Sequence, residues 1–305
     1  MRRAPLVTLL LPALVLATAA RPARADDGTL PDQPKPDDSA GTHAIDRTWL
    51  YADDARVAAP MTVVGMTNVS YTGVGASPTR VDSPYPSTYN GLAGNTAQPG
   101  GMIGVGGEVG LIPRLSVMAM GQVGFGGVDG VPSPSAGAIA GLRLQLLPPE
   151  WQHTHLVVSG GYLREAWSGP VFDDDRGKWL PGAPNGDNGA WIQAAFSGDI
   201  QRLRLATTVH GEHVFWNGRD PLDVMVSLGA SYRVAGAFRV GAEYVGQDLE
   251  EVAAPAAEGG ARHFIGPTAS LQLLQDRLTM VAGPAVGLSA YSPSFLGRIA
   301  VAYGF

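Results

Sequence analysis

The chain has 305 residues, of which 41 are Gly and only 16% are charged, and its formal net charge is −6 at pH 7. This acidic balance argues against a nucleic-acid partner, and the absence of Cys excludes a lipoprotein anchor, a zinc–thiolate site and a disulfide framework. Hydrophobic residues make up 45% of the chain but are scattered, so no run of about 18 predicts a transmembrane helix.

The first predicted element is a secretory signal peptide over residues 1–25. Two arginines at positions 2 and 3 precede an apolar run from Leu6 to Ala20, and residues 23–25 have the small-x-small pattern of a cleavage site. Pro12 interrupts a run that is too short to span a bilayer comfortably, so a membrane anchor is the weaker interpretation. The sequence therefore predicts export through the general secretory route.

Residues 26–59 are predicted to form a periplasmic leader that is partly disordered. Residues 26–42 are acidic and rich in Pro, a composition that favours disorder. Residues 48–51 form the only apolar cluster before the next region. Docking at the periplasmic mouth, insertion in the membrane interface and a poorly ordered linker are three open interpretations of that cluster.

Residues 60–305 are predicted to form an all-β, transmembrane, up-and-down antiparallel β-barrel. Apolar and small or polar residues alternate in segments that turn residues separate, and each segment is long enough for a tilted membrane strand of about 9–11 residues. About twelve segments are predicted, and ten or fourteen remain alternatives because weak segments are easily split or merged. The twelve are 61–72, 101–111, 115–128, 136–147, 153–167, 189–200, 203–215, 223–234, 238–247, 261–274, 277–287 and 295–305.

The connections between these segments alternate in length along the chain. The short set is 112–114, 148–152, 201–202, 235–237 and 275–276, whereas the long set is 73–100, 129–135, 168–188, 216–222, 248–260 and 288–294. An up-and-down barrel with both termini in the periplasm produces this parity, because its periplasmic turns are tight and its outside loops are longer. A soluble β-sandwich has no reason to sort its loops in this way.

The closing segment has one apolar face and ends in an aromatic residue. Phe295, Gly297, Ile299, Val301, Tyr303 and Phe305 share a face, and the opposite face carries small residues and Arg298. This segment resembles the last strand of Gram-negative outer-membrane β-barrels, an architectural class rather than one family. The resemblance implies residence in the bacterial outer membrane. It also implies that the barrel-assembly machinery reads Tyr303 and Phe305 as the assembly signal.

Period-two alternation predicts which side chains face the lumen. A charge that faces lipid near the midplane costs about 2–4 kcal/mol, so charges on one parity support the predicted register. His155 and Arg277 share this parity. The candidate lumen-facing residues are Glu108, Arg143, Asp199, Arg204, His210, Glu212, Arg233, Arg239, Glu243, Arg262 and Arg298.

A charged lumen has two interpretations. Opposite charges in a narrow barrel often pair into a closed network, and this structural interpretation is slightly favoured. The functional interpretation is a small aqueous pore, in which the excess of basic residues on the later strands would favour anions. The assignment assumes that no β-bulge shifts the alternation.

No catalytic or metal site is predicted. His210 and Glu212 lie two residues apart, whereas outer-membrane phospholipases place a serine two residues after their histidine, so the nucleophile position is empty. A His–Glu pair in the lumen is the favoured interpretation. The acidic stretch 173–175 with residues 185–188 is more simply a solvated loop than a Ca²⁺ site.

The leading function hypothesis is a small pore for passive transport of ions or small solutes. The alternative is a non-conducting structural or surface-interaction barrel that acts through its outer loops, and an outer-membrane lipid-modifying enzyme is less favoured. The chain is expected not to be an enzyme and to need no cofactor. Its expected partners are outer-membrane lipids and the barrel-assembly machinery, with small solutes as a further class and nucleic acid excluded.

Overall fold

The structure is a computed structural model. It describes residues 52–53, 55–72, 100–125, 127–128, 131–132, 134–148, 151, 153–167, 171–173, 178–180, 183–215, 222–247, 249, 261–274, 276–289, 292 and 294–305. Within these ranges, no helix has the length and apolar character needed to cross a membrane. The predicted signal peptide, the acidic stretch of the leader and the apolar cluster at 48–51 lie outside the described residues.

Alternating sequence segments fold into strands over nearly all of the described chain. The strands are β1 Val63–Thr72, β2 Gly100–Ile112, β3 Leu115–Phe125, β4 Gly127–Val128, β5 Val131–Pro132, β6 Ser135–Gln145, β7 Thr154–Trp167, β8 Val171–Asp173, β9 Lys178–Leu180, β10 Ala183–Ile200, β11 Leu203–Val214, β12 Asp223–Ala235, β13 Phe238–Gln247, β14 Arg262–Leu273, β15 Leu278–Gly287 and β16 Phe295–Gly304.

Twelve of the strands in the described ranges close into one antiparallel barrel. Each barrel strand pairs with the barrel strands next to it in sequence, and β1 pairs with β16 to complete the ring. The pairs β4–β5 and β8–β9 form two small separate hairpins. The second lies within the predicted long connection 168–188, whereas β4 takes up the end of the predicted segment 115–128 and β5 lies in the connection 129–135. The predicted all-β class, antiparallel topology and count of twelve are therefore confirmed, and the alternatives of ten and fourteen strands are wrong.

Tight turns join four strand pairs at one end of the barrel, and each contains a residue with positive φ. Arg114 (φ 77°), Gln201 (φ 55°) and Gly236 (φ 45°) stand in two-residue connections, which require a left-handed backbone. Leu274 (φ 54°) and Asp276 (φ 65°) stand in the slightly longer connection between β14 and β15. The start of β1 and the end of β16 lie at this same end, which we call the short-turn end.

The two faces of the strands differ in burial, as a single-layered barrel requires. On β14, buried and more exposed residues alternate through the whole strand from Arg262 to Leu273. The outward positions carry exposed apolar side chains, such as Val105 at 62% and Ile192 at 62%. Such a continuous apolar exterior is what a lipid-facing surface needs.

Two prolines interrupt the pairing of β14 with β15. Ile265 pairs with Val286 and Ala269 with Ala282, but the three residues between them form no registered pairs. Continuing this register places Pro267 opposite Pro284. Because proline has no backbone N–H, two donors of the ladder are missing at this point. The barrel nevertheless keeps its register, since both strands remain paired to their other neighbours.

Candidate functional site

The interior of the barrel contains most of the predicted lumen-facing residues. Nine of the eleven candidates are buried, each at most 7% exposed: Glu108, Arg143, Arg204, His210, Glu212, Arg239, Glu243, Arg262 and Arg298. The side chain of Asp199 is 17% exposed. His155 is also buried. A buried charge in a barrel wall one layer thick must point inward, because an outward side chain would be exposed.

Two predicted residues lie at the rim instead. Arg233 and Arg277 are exposed, and both stand at the short-turn end of their strands. Beside Arg233 the pairing of β12 with β13 shifts between Arg233 and Ala235. Arg233 itself still pairs in register with the buried Arg239, so it keeps the inward parity. Its exposure follows from its place near the end of the strand, and the alternation is broken only beyond it.

Residues 52, 53 and 55–59, which we call the inner segment, lie inside the barrel. Near the short-turn end, the Met61 N–H donates to the Gly110 carbonyl at 2.9 Å and the Ala58 N–H donates to Glu108 Oε1 at 2.8 Å. Further along the segment, the Ala52 N–H donates to Glu243 Oε2 at 3.2 Å. The segment thus runs from the short-turn end into the lumen, held by side chains of the wall.

Asp53 is the main anchor of the inner segment. Arg143 donates two hydrogen bonds to its carboxylate, from Nη1 to Oδ2 at 2.6 Å and from Nη2 to Oδ1 at 3.0 Å. Gln193 Nε2 donates to Oδ2 at 2.9 Å, and the Asp53 N–H donates to Thr208 Oγ1 at 2.8 Å. All four residues are buried. We call the set of Arg143, Gln193 and Thr208 the Asp53 site.

A second carboxylate shares the guanidinium of Arg143. Its Nε lies 3.4 Å from Glu108 Oε2, and its Nη2 also donates to the Arg56 carbonyl at 3.0 Å. Glu108 in turn accepts from Ser116 Oγ at 2.6 Å. Charge-assisted bonds of this kind are the strong ones in proteins, so Arg143 links the wall and the inner segment into one network.

A neighbouring ion pair forms at the end of β10. Arg204 donates to Asp199 from Nε and from Nη2, each at 2.7 Å, and Arg56 of the inner segment reaches the same carboxylate at 3.3 Å. These side chains are more exposed than Arg143, at 31% for Arg56 and 17% for Asp199. The pair therefore lies closer to solvent than the Asp53 site.

Apolar side chains form a second layer in the lumen, which we call the apolar layer. On β10, Trp191 is the next inward residue after Gln193 in the direction of the long loops, and its ring stacks on His210 at 5.9 Å. Every member is at most 5% exposed. The buried members are Met118, Ile139, Leu163, Trp191, Val214, Met225, Val245, Phe264, Val281, Ala285 and Leu296.

His210 pairs with a carboxylate inside the barrel. Its Nε2 lies 3.1 Å from Glu212 Oε2, and both side chains are buried. Across the part of the chain that the structure describes, no three His, Asp or Glu side chains come together as a metal site. The residues at 174–177 of the acidic loop lie outside that part.

Sequence reasoning missed the residues that complete the Asp53 site. Gln193 and Thr208 are neutral, whereas the predicted lumen-facing candidates are all charged residues or histidines. Their parity was the available signal: both stand two residues from another buried inward residue, Trp191 and His210 respectively. Asp53 itself lies in a stretch without alternation, so no local pattern pointed to it.

Comparison with known proteins identifies the architecture but no family. No protein-family model matches the chain, and no curated protein sequence matches it. Among solved structures, an outer-membrane channel from Pseudomonas putida F1 is similar with a TM-score of 0.52 and 12% identity, over 83% of this chain and 98% of that one.

Two further solved structures give weaker matches. The β-domain of the Bordetella autotransporter BrkA has a TM-score of 0.48 at 11% identity, over 80% of this chain and 99% of that one. The KdgM porin, in complex with disordered oligogalacturonate, has a TM-score of 0.45 at 7% identity, over 79% and 99%. The resemblance to outer-membrane β-barrels that the closing strand indicated is confirmed at the level of fold, on the match to the Pseudomonas channel.

Proposed function

We propose that the protein is an outer-membrane pore for small solutes, closed at rest by its own inner segment. One observation supports this proposal: the inner segment, which fills the polar part of the lumen, is not a strand of the barrel wall. Hydrogen bonds with wall side chains hold the inner segment, whereas ladder bonds hold the strands. The proposal includes no catalytic step and no cofactor.

The inner segment is suited to leave without opening the barrel. Its anchors, Asp53, Arg56 and the N–H groups of Ala52 and Ala58, contact side chains of the wall. Release of the segment would break these contacts and leave the ladder bonds between the barrel strands in place. The wall charges that remain would then face water.

The proposal keeps three regions: a signal peptide at 1–25, a leader at 26–59 and the barrel at 60–305. The inner segment is the last part of the leader. We place the short-turn end in the periplasm, because periplasmic turns of outer-membrane barrels are short. Tyr303 and Phe305, whose rings meet edge to face at 4.8 Å, then end the chain on that side, where the assembly machinery would read them.

If the exterior of the barrel faces lipid, an arginine placed on it should destabilise the protein more at the centre of the bilayer than near its surface. Val105 is 62% exposed at the centre of β2, and Leu111 is 45% exposed on the same face near the end of the strand. We expect Val105→Arg to lower the free energy of unfolding by about 2–4 kcal/mol and Leu111→Arg by about 0–1 kcal/mol. Urea unfolding in lipid vesicles measures both, and equal costs would contradict a lipid-facing exterior.

Conductance of the refolded protein in a planar bilayer tests the pore. We expect the unmodified protein to be almost silent and Asp53→Ala to show stable current steps, because alanine cannot bind Arg143 or Gln193. Asp276→Asn is the matched control: it removes a carboxylate from a turn and retains a residue that tolerates positive φ. A folded Asp53→Ala variant that shows no current steps would contradict the proposed pore.

The apolar layer favours a second candidate, a non-conducting barrel whose outer loops carry the function. Eleven nearly buried apolar residues on ten strands surround the lumen within the described ranges. Hydrophobic constrictions close pores by excluding water. If release of the inner segment does not produce conductance, this layer is the reason, and the function then lies in the loops.

A further inference from the structure

We propose that the Asp53 site is a binding site for small carboxylate solutes, and that Asp53 is its tethered occupant. The site binds a carboxylate in the structure. Arg143 and Gln193 of the wall donate to it, and the Ala55 N–H of the inner segment adds a further donor, 3.1 Å from Oδ1. The wall donors do not depend on the attachment of Asp53 to the chain. As a step in transport, the inference rests on the proposed pore. As a binding site, it stands on the geometry alone.

The recognition of the carboxylate is specific. A guanidinium fork on both oxygens matches the planar, two-oxygen shape of a carboxylate, and the Gln193 amide adds a third donor. Arg143 and Gln193 are at most 1% exposed, so water does not weaken these bonds as it does at a surface. A neutral amide in the same place would present one NH₂ group to a donor and lose that bond.

The site also selects what lies beside the carboxylate. Thr208 Oγ1 accepts the Asp53 N–H at 2.8 Å, and that nitrogen is bonded to the carbon next to the side-chain methylene. A solute with an N–H donor at this distance from its carboxylate satisfies all three side chains of the site. Amino-acid-like carboxylates fit this description better than plain ones.

Release of Asp53 would leave a site that favours binding of a free carboxylate. When Asp53 leaves, the Arg143 Nε still faces Glu108, but both Nη groups lose the carboxylate that they contact. Water would take the place of the carboxylate, and an incoming carboxylate would restore the two charge-assisted bonds to the Nη groups. Free solute must compete with a tethered carboxylate, whose effective concentration is on the order of millimolar. Abundant solutes would therefore open the pore and scarce ones would not.

Thermal unfolding of the refolded full-length Asp53→Ala variant tests this inference. The probe is the blocked amino acid N-acetyl-aspartate amide, and N-acetyl-asparagine amide is the matched neutral control. At about ten times the Kd, we expect the aspartate probe to raise Tm by about 3–5 °C. The asparagine probe is expected to leave Tm unchanged, and the unmodified protein should respond less because its site is occupied.

Two variants of the Asp53 site test which side chains bind the probe, and the second is available if the first does not fold. Arg143→Gln in the Asp53→Ala background should abolish the shift. If that variant does not fold, Gln193→Ala removes one neutral donor and should weaken binding about tenfold. Equal shifts with both probes, an unchanged shift in Gln193→Ala, or no shift at all overturn the inference.

The outcomes also separate this site from the pore. If the aspartate probe raises the Tm of Asp53→Ala but this variant never conducts, the carboxylate site is supported and the pore is contradicted. If Asp53→Ala shows current steps but the probe leaves its Tm unchanged, the pore is supported and the carboxylate site is contradicted.

Discussion

Replacing Arg143 with alanine is expected to lower the free energy of unfolding by about 3–5 kcal/mol, the cost of leaving buried carboxylates without their cation. Arg143 is fully buried, and its guanidinium serves both Asp53 and Glu108. Truncation removes these bonds together and leaves two carboxylates in the lumen. Urea unfolding of the refolded protein in lipid vesicles measures the loss.

Arg204→Ala is the matched control for that prediction. Arg204 makes an equally close pair with Asp199, but the Asp199 side chain is 17% exposed, so water compensates part of the loss. We therefore expect Arg204→Ala to cost clearly less than Arg143→Ala. A larger cost for Arg204→Ala would show that burial does not govern these pairs.

A double-mutant cycle isolates the bond between Arg143 and Asp53. We expect the cost of Arg143→Ala to fall when Asp53 is already alanine, with a coupling energy of about 1–3 kcal/mol. A coupling below about 0.5 kcal/mol would mean that the two residues act independently. In that case Arg143 serves only Glu108, and Gln193 and Thr208 alone hold Asp53.

Gly110→Ala is expected to open the pore without changing any charge. A Cβ at Gly110 would stand 1.9 Å from the Ala59 carbonyl oxygen and 2.5 Å from that of Ala58. These distances are far inside van der Waals contact, so either the inner segment or β2 must move. The segment is held by fewer bonds than the strand, and we expect it to move and current steps to appear.

Gly101→Ala on the same strand is the control. Its Cβ would meet only the Ser70 carbonyl oxygen at 3.6 Å, an ordinary contact. We expect this variant to remain as silent as the unmodified protein in a planar bilayer. If Gly110→Ala and Asp53→Ala are both folded and silent, two independent ways of releasing the segment have failed, and the interpretation as a pore is wrong.

The strands and their faces were predictable because the local sequence contains the signal for both. A strand that separates lipid from lumen requires apolar and polar side chains to alternate with a period of two, and a two-residue turn requires a particular backbone conformation. The predicted segment 203–215 became β11 at Leu203–Val214, with Arg204, His210 and Glu212 buried as their parity indicated. Where a bulge or a turn breaks the period, as beyond Arg233, alternation no longer predicts which face a side chain occupies.

The Asp53 site was not predictable in this way. Its members are separated by 90 residues for Arg143, 140 for Gln193 and 155 for Thr208. No pattern near Asp53 distinguishes it from the other acidic residues of the leader. The curvature of the barrel wall brings β6, β10 and β11, which are neighbours except for the intervening β7, around one point.

Composition, alternation and loop parity by themselves determined an antiparallel barrel of about twelve strands with charged residues inside, since these properties repeat along the chain and need no knowledge of distant residues. The tertiary structure alone decided what fills that interior. Which charges pair, and whether a segment outside the wall enters the lumen, depends on the curvature of the wall and on the combined register of several neighbouring strands. The registers of β6, β7, β10 and β11 set the positions of Arg143, Gln193 and Thr208 around Asp53, and with them the site on which the proposed function rests.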